Sequence, residues 1–257
     1  MFGAIVLRDI PKDEARIDLA RLPIQGGFRG FGQVPAGWHY VGVKDGGHHR
    51  GFWCWVGPGE AVVRVFDDGF EEDEPESAAH YARLALGGAM GAALLPYPLE
   101  RFGGWFGLVG KIPRENFPPA IRPDEQGGAS RFELALQGSH GGDADSFLAE
   151  FQYAFAAWLV SLDTPVEDER AFARWRHLLL GCYNAGERGM AANPGLFAAL
   201  AETLPRQFDL LPEAWFAADS FLMAQVDYLI EDMADCGAPE LREPSAALAD
   251  YLKPRRS

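Results

Sequence analysis

Hydrophobic positions over the first third of the chain follow a two-residue period, which predicts β-strands. Four short runs rich in β-branched and aromatic residues are each bounded by Gly, Pro or Asp, as strands between turns are. They are GAIVLRDI (3–10), GWHYVGV (37–43), GFWCWVG (51–57) and EAVVRVF (60–66). Both alternating faces of the middle runs are apolar, so the sequence predicts a small sandwich or barrel and not a one-sided sheet.

An acidic stretch, DDGFEEDEPE (67–76), ends this strand pattern. It predicts a solvated loop that caps the following helix, because acidic side chains stabilise a helix N-terminus. That helix is predicted from Ser77 to Leu95, where Pro96 ends it. Pro98 suits the first turn of a second helix that continues to Ile112.

The sequence then predicts one more strand before the pattern changes for good. The polar, proline-rich stretch 113–130 predicts a loop. RFELALQG (131–138) predicts a returning strand with Phe132, Leu134 and Leu136 on one face.

From Asp145 onward the hydrophobic period is helical. The first helix carries a broad apolar stripe, formed by Phe147, Phe151, Ala154, Phe155, Trp158 and Leu159. The next begins with Thr164 as cap, Pro165 in the first turn and Glu167 closing a capping box. Asn193 and Pro194 repeat this logic, and two or three further helices follow.

Strands first and helices later predict an α+β fold with two domains. The boundaries predicted are a β-rich N-terminal domain over 1–137, a linker over 138–145 and an all-α C-terminal domain over 146–257.

Composition narrows the function classes. The 257 residues are 48% hydrophobic, enough for real cores, and the formal net charge of -14 disfavours nucleic acid and anionic lipid as partners. Basic residues cluster only around 170–176 and 253–256. The N-terminus meets charge too early for a signal peptide, and the longest apolar run is shorter than the roughly 20 residues that span a bilayer. Three widely spaced cysteines form no disulfide framework, so we expect a soluble protein of a reducing compartment.

Few residues suggest chemistry. A metal or small-ligand site would use His48 and His49 with His140 and Asp143, but no ligand spacing supports it, and the favoured interpretation is loop histidines between two strands. Cys54 and Cys182 lie in apolar surroundings typical of core thiols. The sequence therefore predicts no catalytic residue, no metal and no cofactor.

The stretch GGFRGFGQVPAGWHYVGV (26–43) could cradle a phosphate or form a turn. It contains no lysine and no helix-opening sequence follows it, which disfavours phosphate binding. We interpret it as a turn feeding a core strand, with Trp38 and Tyr40 filling the sandwich and Arg29 holding the turn.

The helix RAFARWRHLLL has two interpretations. Arg170, Arg174 and Trp175 could form a partner face, because Arg and Trp are frequent hot-spot residues. Alternatively, Phe172 and Trp175 pack in the core and the arginines are solvated.

A set of distinctive residues follows one order along the chain, from about Gly3 to about Ala234, which is nearly its whole length. We call these residues landmarks. They are Phe28, Arg29, Gly30, Pro35, Gly37, His39, Pro96, Tyr97, Pro98, Trp105, Glu150, Phe151, Gln152, Ala154, Phe155, Trp175, Leu178, Leu179 and Cys182. In this order they resemble the AAR-two splicing-factor family, whose members assist assembly of the U-five snRNP.

The resemblance implies an N-terminal β-sandwich-like domain, a C-terminal helical domain and no enzymatic activity. It also implies that the chain binds the RNase-H-like and Jab/MPN-like domains of the spliceosomal scaffold Prp-eight. In the family, this binding blocks premature entry of the helicase Brr-two. The landmarks are expected to be structural, and the protein cytoplasmic, or also nuclear in a eukaryote. Eukaryotic relatives have a longer linker and an extended tail, whereas only KPRRS follows the last predicted helix here. The Ala/Gly-rich, Arg-rich composition also suits a bacterium, where the same fold would have an unrelated protein partner.

Overall fold

The computed structural model describes residues 1–11, 14–24, 26–115, 117–124 and 130–255. The chain divides into two compact units. The first contains Met1–Phe106 and Leu159–Glu167, and the second contains Gly107–Trp158 and Asp168–Ser257. Strands come first and helices later, so the predicted α+β fold is confirmed. The predicted boundaries at 137/138 and 145/146 stay a prediction.

The described strands of the first unit form two sheets that face each other. The first sheet has the order β8 (Phe70–Glu72), β7 (Ala61–Phe66), β1 (Gly3–Arg8), β4 (Gly30–Val34), β9 (Leu94–Pro96). The second has the order β3 (Ala20–Pro23), β2 (Glu14–Ile17), β5 (Gly37–Asp45), β6 (His48–Val56). Residues from both sheets form one buried core, which includes Ile5, Ile17, Phe31, Val41 and Val56. The predicted sandwich is confirmed.

Two helices complete the description of this unit. The first, α1 (Pro75–Leu86), packs Tyr81 and neighbouring apolar residues against Val6 and Val63, on the face of the first sheet opposite the sandwich core. The second, α2 (Leu99–Val109), begins directly after Pro98 as predicted.

The prediction that the first of these helices continues to Leu95 is wrong. The helix ends at Leu86, and the chain then turns through Gly88, whose φ of 81° favours glycine. Residues 94–96 are extended because they pair in parallel with β4. The acidic stretch is likewise not all loop, since β8 pairs with β7 and the rings of Phe66 and Phe70 lie 5.2 Å apart.

The second unit is helical throughout its described elements. The helices are α3 (Arg131–Glu133), which continues as a π-helix over Leu134–Ser139, then α4 (Ala144–Ser161), α5 (Glu169–Tyr183), α6 (Gly186–Ala192), α7 (Pro194–Phe208), α8 (Val226–Asp235) and α9 (Arg242–Leu252). Short 3-10 turns cover Glu213–Phe216, Pro239–Leu241 and Lys253–Arg255. The last three residues of α4 belong to the first unit. The predicted loop over 113–130 holds for its described residues, and 116 and 125–129 lie outside them.

The returning strand predicted over 131–138 is wrong. The chain there is helical, and the Ser130 hydroxyl caps it by accepting from the Glu133 amide. Phe132 packs with its ring centroid 5.1 Å from that of Phe197.

Two predicted helix caps also differ. Asp168, and not Thr164, caps α5 by accepting from the Ala171 amide. Asn193 precedes α7 as predicted, but its side chain donates to the Gly189 carbonyl instead of capping.

Candidate functional site

Asp18 is the centre of a buried polar cluster in the first unit. It occupies the turn between β2 and β3 with a φ of 53° and is 2% exposed. Its Oδ2 accepts from the Tyr97 hydroxyl at 2.7 Å and lies 2.8 Å from His39 Nδ1, while its Oδ1 accepts from the Tyr40 amide at 2.9 Å. His39 Nε2 lies 2.9 Å from the Pro35 carbonyl oxygen. The cluster therefore joins β5 of the second sheet, through one carboxylate, to the residue that follows β9 of the first.

The environment of His39 favours the imidazolium. A carbonyl oxygen faces one ring nitrogen and a carboxylate faces the other, and both groups can only accept. Burial lowers the pKa of His39, but the charge and hydrogen bond of Asp18 outweigh it, so the pKa lies above its ordinary value of 6.5. The ring is fully buried, which makes this an internal ion pair and not a proton donor open to solvent.

Aromatic side chains cover the outer face of the second sheet. The prediction that Trp38 and Tyr40 fill the sandwich core is wrong. Alternate residues of β5 point to opposite faces of the sheet, and Val41 and Val43 occupy the inner face. On the outer face, the rings of Tyr40 and Trp53 lie 5.5 Å apart. Trp105 stacks on Trp53 at 5.6 Å, and its indole N–H donates to the Trp38 carbonyl at 2.7 Å.

Asp163 ties three strands of the same sheet together. Its carboxylate pairs with Arg16 of β2 at 2.9 Å and also with Arg21 of β3, and its carbonyl accepts from the His49 amide of β6. Arg16 is 3% exposed and its guanidinium lies 5.3 Å from the Tyr40 ring centroid. Burial lowers the pKa of Arg16, although the nearby Asp163 raises it. The 159–167 segment thus supplies the counter-charge for a buried cation.

Glu150 is the centre of a second buried cluster, in the second unit. The carboxylate is fully buried on α4. Oε1 accepts from the Arg122 amide at 2.7 Å and from Arg174 Nε at 3.1 Å. Oε2 lies 2.8 Å from His140 Nε2 and also accepts from the Arg122 and Arg174 guanidinium groups. The cluster fastens the extended segment before residue 125 to two helices.

These donors control the ionisation of Glu150. Burial raises the pKa of Glu150, but hydrogen bonds from the three surrounding residues lower it by more, to about 2. The carboxylate is therefore ionised at neutral pH, and its charge is matched by Arg174, which is 1% exposed.

Two family models match the chain, one over each half of its length. The model described as the AAR2 N-terminal domain matches residues 2–117, and the one described as the AAR2 C-terminal repeat region matches residues 114–256. The chain belongs to the AAR2 family. A search of curated proteins gave no match.

The structure brings several of the predicted AAR2-family landmarks together in the first unit. Pro35, His39 and Tyr97 meet in the Asp18 cluster. Pro96 ends β9, Pro98 precedes α2 and Trp105 contacts the outer aromatic face. All of these contacts are internal, which supports a structural role.

The glycine-rich landmark of the AAR2 family also acts through its backbone. Gly30 has a φ of 129°, and an added Cβ would lie 1.9 Å from the Ile5 carbonyl oxygen of β1. Phe28 packs its ring 5.4 Å from that of Phe31. The Arg29 side chain is exposed, whereas its amide donates to the Ala93 carbonyl. The strand β5 then starts at Gly37, whose φ is 143°.

The AAR2-family landmarks of the second unit are buried. Phe151, Phe155 and Trp175 are fully buried, with the latter two rings 5.1 Å apart. Gln152 accepts from the Lys111 amide at 2.8 Å and donates to the Gly107 carbonyl at 3.2 Å.

The predicted partner face on α5 does not fit this arrangement. Arg174 and Trp175 are buried, Arg174 against Glu150 and Trp175 through an N–H···O bond of 2.9 Å to Gln207. Arg170 is exposed, but its guanidinium donates to the Ile121 carbonyl at 2.6 Å. Arg174 is also not solvated, so the alternative interpretation is corrected at that residue.

The histidines that could have formed a metal site in this AAR2-family chain, His48, His49 and His140, contact different residues. His48 and His49 begin β6 and are not loop residues, and His49 Nε2 lies 2.7 Å from Glu14 Oε1. His140 is buried against Glu150, with Ser146 at 2.9 Å from its other nitrogen. Asp143 accepts from the first amides of α4. Within the described part of the chain, no three His, Cys, Asp or Glu side chains are grouped to hold a metal.

Sequence reasoning missed Asp18, Arg16, Asp163 and Arg122. Asp18 and Arg16 lie in a four-residue strand and its turn, which carry no motif.

Among the residues that the structure describes, no helix is both long and apolar enough to cross a bilayer.

Proposed function

We propose that this chain is a non-enzymatic assembly factor that binds a large protein scaffold. In a host that splices introns, that scaffold is Prp-eight, and the chain assists assembly of the U-five snRNP. Membership of the AAR2 family over residues 2–256 carries the proposal. In a host without a spliceosome, the same fold binds an unrelated protein.

The state of the polar clusters supports binding over catalysis. One ionisable group of each cluster, His39 in the first and Glu150 in the second, is fully buried and hydrogen-bonded to its neighbours. A substrate atom cannot reach a group that is buried in this way, so neither group can act in catalysis. Their hydrogen bonds instead hold the fold together. The net charge of -14 favours a protein over nucleic acid as the partner. The proposed location is the cytoplasm, and also the nucleus in a eukaryote.

The test is co-purification with the proposed scaffold. The full chain is mixed with the RNase-H-like and Jab/MPN-like domains of Prp-eight from the same host, and the mass of the complex is measured by size exclusion with light scattering. We expect a stable complex at near-physiological salt. Absence of that complex in a splicing host contradicts the snRNP role.

A second measurement separates the other proposed classes. For a host without a spliceosome, the tagged chain is used to capture partners from its own lysate, and mass spectrometry identifies them. Recovery of no stable partner contradicts the binding function. Elemental analysis of the folded protein tests the alternative of a metal-dependent enzyme, because one bound metal per chain would favour it.

A further inference from the structure

A groove of about 760 Å³ opens in the second unit beside the end of α7. Phe208, Leu211 and Phe216 form its apolar part, and all three side chains are buried. The acidic residues Asp209 and Glu213 also line it. The groove therefore combines aromatic surface with negative charge.

Arg255 lines this groove and places its guanidinium between two rings and a carboxylate. Its Cζ atom lies 4.1 Å from the ring centroid of Tyr251 and 5.5 Å from that of Phe216. Its Nη2 donates to Asp209 Oδ1. Two aromatic rings and one carboxylate thus surround a planar cation, which is the environment that arginine prefers.

The carboxylate is held in place independently of Arg255. The Tyr251 hydroxyl donates to Asp209 Oδ1 at 2.7 Å and lies 3.1 Å from the Pro205 carbonyl oxygen. Burial and the neighbouring Asp209 raise the pKa of Tyr251, so the hydroxyl stays a donor at neutral pH. Removal of Arg255 would therefore leave a preorganised acceptor beside two ring faces.

Arg255 itself remains partly open to solvent. It lies in a single 3-10 turn after α9, and its side chain is 31% exposed. An identical group on a partner can compete with such a partly exposed group for the same contacts.

We propose that this groove is an arginine-recognition site for a basic segment of a protein partner, with Arg255 as an internal stand-in that the partner's arginine displaces. The identity of the occupant follows from the charge of the groove and from the guanidinium that it already holds. Lysine would fit less well, because an ammonium group lacks the planar fork that pairs with a carboxylate and stacks on rings. The inference rests on the proposed protein-binding function for its biological partner, but peptide binding is measurable without that partner.

The test uses two peptides, acetyl-Ala-Arg-Ala-amide and its lysine counterpart, titrated into the full chain and followed by amide NMR shifts. Removal of the internal competitor in Arg255→Ala should tighten arginine-peptide binding about tenfold, because the free site is then always available. The lysine peptide should bind several-fold more weakly. Asp209→Asn in the Arg255→Ala background should abolish binding, whereas Glu202→Gln, an exposed carboxylate of α7 outside the groove, should not.

Arg255→Lys keeps the charge and guards against misfolding of the alanine variant. It should tighten arginine-peptide binding in the same direction by a smaller factor. Equal affinity of all variants, equal affinity for the two peptides, or no binding to any variant overturns the proposal. Peptide binding without a scaffold complex would contradict the proposed function and leave the arginine site standing.

Discussion

The Tyr97 hydroxyl donates a 2.7 Å hydrogen bond to the Asp18 carboxylate, across 79 positions of the chain. Asp18 belongs to a turn of the second sheet, and Tyr97 directly follows the last strand of the first sheet. Both residues are almost fully buried. One neutral donor and one carboxylate therefore tie the two layers of the sandwich together at a point where the core is not apolar.

Replacement of this donor should weaken the first unit. We expect Tyr97→Phe to lower the free energy of unfolding by about 1–3 kcal/mol, because the buried carboxylate loses a bond that water cannot replace. Urea denaturation measures the change. Tyr228→Phe is the control, since Tyr228 is 58% exposed and its substitution should change stability by less than about 0.5 kcal/mol. Equal effects of the two variants would show that the Asp18 bond is unimportant.

The His39–Asp18 pair should make stability fall as pH rises. Because the pKa of His39 is raised in the folded state, its proton stabilises the fold fully below 6.5, and this contribution is lost as pH rises through the folded pKa. The free energy of unfolding of the wild type should therefore fall more between about pH 6 and about pH 8.5 than that of His39→Gln. A wild-type curve that runs parallel to the His39→Gln curve over this range contradicts the assignment.

Removal of the Glu150 charge should be more damaging. We expect Glu150→Gln to lower the free energy of unfolding by about 3–5 kcal/mol, because the buried Arg174 guanidinium loses its close carboxylate and keeps Asp124, at the longer distance of 4.0 Å, as a counter-charge. Chemical denaturation of the full chain measures the loss. Glu202→Gln replaces an exposed carboxylate and should have an effect within about 0.5 kcal/mol. A loss below about 1 kcal/mol in Glu150→Gln would mean that Arg174 finds another partner.

The same residue predicts acid sensitivity. Its folded pKa of about 2 lies below its ordinary value of 4.5, so its contribution is complete above 4.5 and is lost as pH falls towards 2. The stability difference between the wild type and Glu150→Gln should therefore shrink over that range. Thermal melts at stepped pH test this, and a difference that stays constant from neutral to acid pH refutes it.

Gly30 should tolerate no side chain. Its Cβ would collide with the Ile5 carbonyl oxygen, and Gly30 pairs with Val6 in the sheet, so neither backbone can move away freely. We expect Gly30→Ala to lower the free energy of unfolding by about 3 kcal/mol or more. Gly26→Ala is the matched control, because a Cβ there would meet nothing within 4 Å. Similar urea midpoints for the two variants would contradict the strain.

Helices α4, α5 and α7 were predictable because their hydrophobic period is unambiguous. The prediction from the hydrophobic period failed over residues 131–138, where the strand period and the helical period both fit the apolar positions. Phe132, Leu134 and Leu136 alternate as a strand would, but Phe132 and Leu136 are also one helical turn apart. In the structure these two are buried and Leu134 is half-buried, so the helical period decides the element.

The polar clusters were not predictable from local sequence. Arg16 interrupts a strand of four residues, so the pattern of β2 is too short and too polar to recognise. Glu150 and Arg174 are both apparent in helices of the sequence, but their pairing depends on how two helices pack. Only tertiary structure brings such residues together, and no spacing rule could have found them.

The contribution of Asp163 to the first unit bears on how the protein is made. A ribosome delivers Arg16 147 positions before Asp163, so the buried cation of β2 must wait for its counter-ion until most of the chain has been translated. Residues 2–117, which match the N-terminal family model, do not contain that counter-ion. A fragment cut at this boundary should thus be less stable than the same sheets in the full chain. The first unit is therefore complete only after part of the second unit has been translated.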